Sequence, residues 1–189
     1  MSGATVVISG AHGTGKTTAA YILAGKIKML AAVDVRVRTE LARECPFTIC
    51  QNRGGVERRA EADAQWWIFA KQVLRDLDTT RRADRQVIIY DRGLIDVIGY
   101  SAALGYHEIA YAMMQIAKTI NLKRFYDYVI FKPIAEFPLI DDGCRSLDQE
   151  FRQEVEHAIL SAWDEVGIKF ETEAEVLRAI GGNDGMRSM

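Results

Sequence analysis

Residues 10–17 read Gly-Ala-His-Gly-Thr-Gly-Lys-Thr and match the spacing G-x-x-x-x-G-K-[ST] of a phosphate-binding loop. Glycines allow the backbone of such a loop to wrap closely enough to direct several N–H groups at one phosphate chain. The apolar, β-branched residues 5–9 predict a strand leading into the loop, and residues 16–30 predict a helix leading out. Because a helix N-terminus favours anions, the sequence predicts a nucleotide phosphate site at this turn.

The polar side chains of the loop have expected roles. Lys16 is expected to reach the β- and γ-phosphates, and the Thr17 hydroxyl to ligate Mg²⁺. His12 occupies a variable position of the motif, where it either touches the nucleotide or only fills the spacing. The other residues that we predict to contact the nucleotide here are Gly10, Gly13, Thr14, Gly15 and Thr18.

Composition limits the class of protein. The 189 residues are 49% hydrophobic and 26% charged, as in one globular domain with an ordinary core. We expect a single domain over residues 1–181 and a flexible tail over 182–189. No apolar run approaches the ~20 residues that cross a bilayer, and no signal peptide is evident. Three cysteines without metal-ligand spacing predict a cytoplasmic location with free thiols.

Strand and helix signals alternate along the chain. The predicted strands are 5–9, 33–38, 86–90, 126–132 and 168–171, and the predicted helices are 16–30, 56–77, 94–104, 107–120 and 147–166. Continuous apolar runs such as residues 87–90 are typical of strands buried on both faces of a parallel sheet. The pattern predicts a three-layer α/β fold, in which ligands bind at the carboxyl ends of the strands.

Asp91 and Arg92 follow the third predicted strand. An acid after four apolar residues is typical of a carboxylate that holds Mg²⁺ beside a phosphate loop, although Asp is also common at strand ends for turn formation. The planar guanidinium of Arg92 suits a phosphate oxygen, or alternatively an ion pair with Asp96 one helical turn later. We predict catalytic roles for Asp91 and Arg92, with Asp91 also a metal ligand.

Glu40 and Arg43 follow the second predicted strand. A carboxylate at position 40 could accept the proton of an attacking hydroxyl, or fix that hydroxyl by a hydrogen bond. A Glu in the first turn of a helix is also favoured by the helix dipole, and the spacing leaves these interpretations level. We predict that Glu40 is catalytic and that Glu40 and Arg43 both contact the substrate.

The segment from about residue 133 to residue 152 is predicted to form a lid. Arg145 lies just before the helix predicted at 147–166, and Arg152 can share a face of that helix with it. Such a lid would bring Arg145 onto the transferring phosphate as a catalytic residue and Arg152 onto the nucleotide, excluding water. The alternative is a solvated helix face paired with acidic neighbours.

Trp66 is the candidate for stacking on a base of the substrate. Trp66 and Trp67 are adjacent in the helix predicted at 56–77, and adjacent helical residues point about 100° apart. At most one of them is therefore central to the core, and the other is free to line a substrate cleft. Core or interface packing is the more common fate of a tryptophan.

Together these motifs resemble the P-loop kinases of the nucleoside and nucleotide kinase group. The resemblance spans most of residues 4–171 and rests on residues 10–18, 40–43, 91–93 and 142–145 with Arg152. It implies five parallel strands in the order 2-3-1-4-5, ATP and Mg²⁺ as cofactors, an acid on the acceptor side and arginines on a helical lid. Residues 91–96 and the lid are most similar to nicotinamide-riboside-kinase-like proteins and to bacterial or phage P-loop kinases.

The sequence departs from that group on the acceptor side. Gly93 stands where typical deoxynucleoside kinases have Ser, and no Glu-Pro follows the second strand. Residues 51–59 are rich in arginine, and we predict that Arg53 and Arg58 contact an acceptor that already carries phosphate. That acceptor would be a nucleotide, a polynucleotide end or a hydroxymethylated base in DNA, as in phage DNA-hypermodification kinases. The alternative for these arginines is ordinary solvated surface.

Three functions compete at this point. The first is transfer of the γ-phosphate of ATP to an acceptor hydroxyl, with a nucleoside or nicotinamide riboside as alternative acceptors. The second is a regulatory NTPase, although no Asn-Lys-x-Asp guanine motif is present and an AAA-type motor would need more chain. The third is a nucleotide-binding module without turnover. The sequence leaves open the oligomeric state, a homodimer included, the choice of ATP or GTP, and whether Glu40 or Asp91 is the base.

Overall fold

Four parallel strands position the phosphate loop in a computed structural model that describes residues 3–47, 51–53, 56–58, 60–79, 86–136 and 148–182. In chain order these are β1 (Ala4–Ser9), β2 (Asp34–Arg38), β5 (Gln86–Asp91) and β6 (Tyr128–Phe131). Their order across the sheet is β2-β5-β1-β6. The register pairs Ile8 of β1 with Asp91 of β5, so the loop after β1 begins beside Asp91.

The helices cover both faces of the sheet. They are α1 (Lys16–Leu30), α2 (Ala62–Thr79), α3 (Leu94–Ala103), α4 (His107–Thr119), α5 (Gln149–Val166) and α6 (Glu173–Gly181). Val6 and Ile8 of β1 face a core completed by α1 and α6, whereas Val7 faces a second core completed by α2 to α5. The predicted three-layer α/β fold with a parallel sheet is confirmed.

The fifth predicted strand is the first difference from expectation. Residues 168–171 form no strand in the described structure, although Glu171 N donates to Val129 O over 2.8 Å. The Glu171 carboxylate accepts from Val129 N, also over 2.8 Å, and so takes the place of a further ladder bond to the edge strand β6. The described sheet therefore has four strands in the order predicted for the first four.

The helix predicted over residues 56–77 begins too early. Residues Val56–Arg58 form strand β4, which pairs antiparallel with β3 (Gln51–Arg53), and α2 begins only at Ala62. A Gly-Gly pair between two short segments, as at positions 54–55, is typical of a β-hairpin, and the helix prediction for residues 56–58 did not take this signal into account.

Helix α6 was not predicted, although a capping box marks its start. The Thr172 hydroxyl accepts from Glu175 N over 3.3 Å, and the Glu175 carboxylate accepts from Thr172 N over 2.7 Å. No helix in the described part of the chain is long and apolar enough to cross a membrane. Most of the predicted lid, residues 137–147, and most of the predicted tail, residues 183–189, lie outside that part.

Candidate active site

The phosphate loop connects β1 to α1 through glycines in backbone conformations that other residues rarely adopt. Gly10 has a φ of 143°, and a Cβ at this position would lie 2.5 Å from the carbonyl oxygen of Lys132. Gly15 caps α1 in the left-handed region with a φ of 67° and leaves the first helical turn without a side-chain cap. The loop thus passes close to β6 and presents the amides at the start of α1.

Lys16 is buried and folds back onto the loop. Its Nζ atom donates to the carbonyl oxygen of Ala11 and, over 3.1 Å, to the hydroxyl of Thr14, which itself donates to Ala11 O over 3.0 Å. Burial lowers the pKa of the Lys16 amine to about 7. The loop therefore holds an amine whose charge is costly until an anion joins it.

Nucleotide binding near pH 8 is expected to take up about one proton. The Lys16 amine is mostly neutral at that pH in the free protein, since burial and the Arg92 charge lower its pKa more than the carboxylates of Glu40, Asp96 and Asp91 raise it. A bound polyphosphate favours the charged form and returns the pKa toward its ordinary value. Calorimetry with MgADP in two buffers of different ionisation enthalpy measures the uptake.

The control for this uptake is the same titration at pH 6. There the Lys16 amine is already charged, because this pH is below its pKa of about 7, and it takes up no proton on binding. Binding heats at pH 8 that do not depend on the buffer would contradict the prediction.

Thr17 and Asp91, the two predicted metal ligands, lie in contact. Thr17 Oγ1 donates to Asp91 Oδ2 over 2.5 Å, and the Asp91 side chain is buried at the end of β5. Hydroxyl and carboxylate oxygens suit Mg²⁺, which usually takes one or two carboxylates and completes its shell with phosphate oxygens and water. The described residues contain no cluster of three or more His, Cys, Asp or Glu that could hold a metal ion. The pair therefore fits a metal that arrives with phosphates.

Arg92 is held in place by three other residues. Its Nη1 donates to Gly10 O over 3.1 Å, its Nε lies 2.6 Å from Glu40 Oε1, and its Cζ lies 4.8 Å from the centre of the Tyr100 ring. The Nε contact pairs the charges without the angles of a hydrogen bond. These contacts hold Arg92 at a φ of 76°, a conformation that is rare for residues other than glycine. The ion-pair partner of Arg92 is Glu40, and not Asp96, which the sequence offered as an alternative.

The acidic residues around Arg92 keep its guanidinium charged. Burial on its own would lower the pKa of Arg92, but the Glu40 carboxylate together with Tyr100, Asp96 and Asp91 outweighs burial, and the pKa lies above its ordinary value. Glu40 Oε2 also lies 3.8 Å from Nε of Arg43, which is mostly exposed. Glu40 therefore lies between the largely buried guanidinium of Arg92 and the exposed guanidinium of Arg43.

The turn that carries Glu40 is fixed from α2. Glu40 precedes a short 3₁₀ helix, Leu41–Glu44. Arg75 of α2 donates to the carbonyl oxygen of Thr39 and to Glu44 Oε1, both over 2.8 Å. Sequence reasoning did not single out Arg75, because nothing local marks a helix residue that reaches a turn so distant along the chain.

A cavity of about 230 Å³ joins the loop to the residues that follow β2 and β5. Its lining residues are Gly15, Lys16, Thr17, Thr18, Glu40, Arg43, Asp91 and Arg92. Trp66 is not among them; it lies 37% exposed on α2, edge-to-face with Phe69 at 6.1 Å, while Trp67 packs partly buried against the core.

The remaining arginines predicted for the site are less fully described. Arg53 and Arg58 lie on strands β3 and β4 of the hairpin, and only their backbone is described. Arg145 lies outside the described residues. Their predicted roles on the acceptor and on the lid stay predictions.

Asp96 is a buried residue of the site that sequence reasoning considered only as a partner for Arg92. Its Oδ1 accepts from Ser9 Oγ over 3.0 Å and from Gly10 N over 2.9 Å, and its Oδ2 accepts from Gly93 N over 2.8 Å. Trp163 Nε1 donates to the same Ser9 hydroxyl over 2.8 Å. Asp96 thus connects the start of the loop to the turn after Asp91. An acidic residue at the third position of a helix is typical of a capping box, and this is the sequence signal that could have identified Asp96.

His12 and Arg152 meet at the outer side of the loop. His12 Nδ1 lies 3.1 Å from Tyr100 OH, and the His12 ring stacks on Phe151 with centroids 6.0 Å apart. Arg152, only 2% exposed, donates through Nε to His12 O over 3.1 Å and through Nη2 to Gly13 O over 3.4 Å. The structure thus places Arg152 on the loop backbone, not on a solvated helix face.

The parallel sheet and the glycine-rich loop ahead of α1 define a P-loop nucleotide-binding fold. The chain belongs to the AAA domain family, whose profile matches residues 5–175. No significantly similar sequence is found among curated proteins.

Solved structures share the fold at low identity. Thymidylate kinase from Ehrlichia chaffeensis matches with a TM-score of 0.62 and 15% identity, covering 95% of this chain and 99% of that one. The NadR protein in complex with NR matches with a TM-score of 0.61 and 17% identity, and the match covers 97% of this chain but only 52% of NadR. Deoxyadenosine kinase from M. mycoides matches with a TM-score of 0.54 and 13% identity, and the match covers 96% of this chain and 99% of that kinase. The expected likeness to nucleoside and nucleotide kinases is confirmed at the level of the fold.

Proposed function

We propose that the protein transfers the γ-phosphate of ATP to a hydroxyl group of a nucleotide-like acceptor. The observation that carries this proposal is the single cavity in which Lys16 and Thr17 of the loop meet Glu40, Asp91 and Arg92. A site that only bound nucleotide would need the loop alone. A carboxylate and an arginine held beside the loop in the same cavity are the groups that phosphate transfer to a hydroxyl uses.

The loop side of the cavity is assigned to the phosphate donor. The amides of residues 13–18 and the Lys16 amine would hold the phosphates of ATP, and Thr17 and Asp91 would hold Mg²⁺. When bound, Mg²⁺ supplies neutralisation of the phosphate charge. Lys16, which is buried, and Arg92, whose side chain is only 11% exposed, would stabilise the negative charge of the transferring group, since charge interactions are strong where water is excluded.

The opposite side of the cavity is assigned to the acceptor hydroxyl. Glu40 lines the cavity, and its ion pair with Arg92 orients its carboxylate. We propose that Glu40 fixes this hydroxyl by a hydrogen bond and receives its proton as the bond to phosphorus forms. Asp91 is then left to the metal, because its Oδ2 already faces the Thr17 hydroxyl.

The acceptor is proposed to carry phosphate of its own. The cavity of about 230 Å³ is smaller than the ~300–1,000 Å³ typical of ligand pockets, so an acceptor would extend out of it past the exposed Arg43. The arginine-rich segment 51–59, with Arg53 and Arg58, follows in the chain. A nucleotide, a polynucleotide end and a hydroxymethylated base in DNA fit this description. Trp66 as a stacking surface and Arg145 on a closing lid remain part of the proposal.

The description of the family as an AAA domain favours a second candidate function. The same loop, the Thr17–Asp91 pair that would hold Mg²⁺, and Arg92 could also serve nucleotide hydrolysis, with water in place of the acceptor hydroxyl. The two functions differ in whether turnover depends on an acceptor.

A transfer screen with labelled ATP tests the proposal. Nucleosides, nucleotides, nicotinamide riboside, 5′-hydroxyl oligonucleotides and hydroxymethylpyrimidine DNA would be compared as acceptors in the presence of Mg²⁺. We expect labelled product from a phosphorylated acceptor, and for DNA a steep loss of binding as salt rises. Hydrolysis at the same rate with and without every acceptor would favour the second function, and nucleotide binding without any turnover would contradict both.

A further inference from the structure

Arg152 contacts the phosphate loop from the side of α5. It lies in the first turn of that helix and is 2% exposed. Its guanidinium donates to two successive carbonyl oxygens of the loop, from Nε to His12 O over 3.1 Å and from Nη2 to Gly13 O over 3.4 Å. Burial lowers the pKa of Arg152 more than Glu156 and Tyr100 raise it, so the guanidinium is held here at a desolvation cost.

These two contacts fix the direction of two loop amides. In a planar trans peptide unit the C=O of one residue and the N–H of the next point in opposite directions. Holding His12 O toward Arg152 therefore directs the N–H of Gly13 to the other side of the loop, and holding Gly13 O does the same for the N–H of Thr14. Amides of this kind are the donors that cradle the α- and β-phosphates in a loop of this spacing.

Neighbouring side chains brace the same stretch of loop. Phe151, next to Arg152 in α5, stacks on the His12 ring with an interplanar angle of 30°. From α3, Tyr100 places its hydroxyl 3.1 Å from His12 Nδ1 and its ring under the Arg92 guanidinium. Side chains of α3 and α5 therefore contact the loop at His12 and Gly13, which do not line the cavity.

We propose that Arg152 is a positioning residue for the phosphate loop: it holds the peptide units between residues 12 and 14 so that their amides face the phosphates that ADP and ATP share. It does not contact the γ-phosphate. This role differs from the nucleotide contact that the lid hypothesis gave Arg152, and it rests on the proposed function for the presence of a nucleotide at the loop.

Affinities for two nucleotides test this role. MgADP and the magnesium complex of the β,γ-imido analogue of ATP would be titrated into the full chain by calorimetry. For Arg152→Met we expect both dissociation constants to rise by the same factor, about tenfold to a hundredfold. Arg152→Lys keeps the charge but not the planar fork that reaches two carbonyl groups, so we expect it also to weaken both nucleotides equally. Arg178→Met, which changes an exposed arginine on α6, serves as the matched control.

Several outcomes would overturn the inference. Selective loss of the ATP analogue with MgADP unchanged would mean that Arg152 touches the γ-phosphate. Unchanged affinity for both nucleotides, or full affinity in Arg152→Lys, would remove the role of the guanidinium fork. If Arg152→Met does not fold, Arg152→Lys is judged by the same criteria. A chain that binds both nucleotides but transfers phosphate to no acceptor would contradict the proposed function and leave this test valid.

Discussion

Lys16→Ala is expected to lower phosphate transfer from MgATP by about 10³-fold or more while leaving the fold intact. The Lys16 amine is the buried cation of the loop, and the amides around it cannot supply a full positive charge to the transferring group. The rate would be measured in single turnovers with the acceptor that the screen identifies. Appreciable turnover in the variant would contradict the assignment of the loop.

The fold is expected to survive because Lys16 contributes little that the loop cannot replace. Its amine donates only within the loop, to Ala11 O and Thr14 Oγ1, and Thr14 keeps its own bond to Ala11 O without it. Burial lowers the pKa of Lys16 to about 7, so removing the amine also removes a costly buried cation. Thermal unfolding would check this expectation, and Lys28→Ala, an exposed position near the end of the same helix, is the matched control.

The parts of the site that sequence reasoning identified are those with local signals. The spacing of residues 10–17 is a linear motif, and Asp91 and Arg92 follow an apolar run whose end is visible in the sequence. Since parallel strands end at one edge of a sheet, the strand ends also brought Glu40 into the predicted site. The structure places the end of the loop, residues 15–18, around one cavity with Glu40, Asp91 and Arg92.

The parts that were missed depend on contacts between distant segments. The spacing allowed Arg92 to pair with Asp96, but the sheet order brings Glu40 beside it, and Asp96 is taken by the amides of Gly10 and Gly93. Arg152 was expected to lie on one helical face with Arg145. Its burial against loop carbonyl groups follows from how α5 packs across the loop, which no spacing along the helix encodes.

The errors in secondary structure have a similar origin. Residues 168–171 have the composition of a strand, but an edge position lets the Glu171 side chain satisfy Val129 N in place of a backbone partner. The sequence of residues 56–58 continues the helical pattern of the residues that follow, but these residues form a strand because they pair with β3. In both places tertiary contacts override a weak local preference.

Asp91→Asn is expected to reduce the rate of transfer by about 10²-fold or more and to change nucleotide affinity far less. The amide oxygen can still accept from the Thr17 hydroxyl, so the geometry at the end of β5 is kept, but a neutral oxygen is a poorer ligand for Mg²⁺. Removing a negative charge near Lys16 and Arg92 also favours binding of the anionic nucleotide, which offsets part of the lost metal contact.

The comparison of rate with affinity decides whether Asp91 acts in the transition state. Single-turnover rates at several Mg²⁺ concentrations and calorimetry with MgADP would be measured together, with Asp78→Asn, an exposed position on α2, as the control. Equal losses of rate and affinity would contradict a transition-state role. A rise in the Mg²⁺ concentration needed for half-maximal rate in Asp91→Asn but not in Glu40→Gln would assign the metal to Asp91 and leave Glu40 as the group that receives the proton.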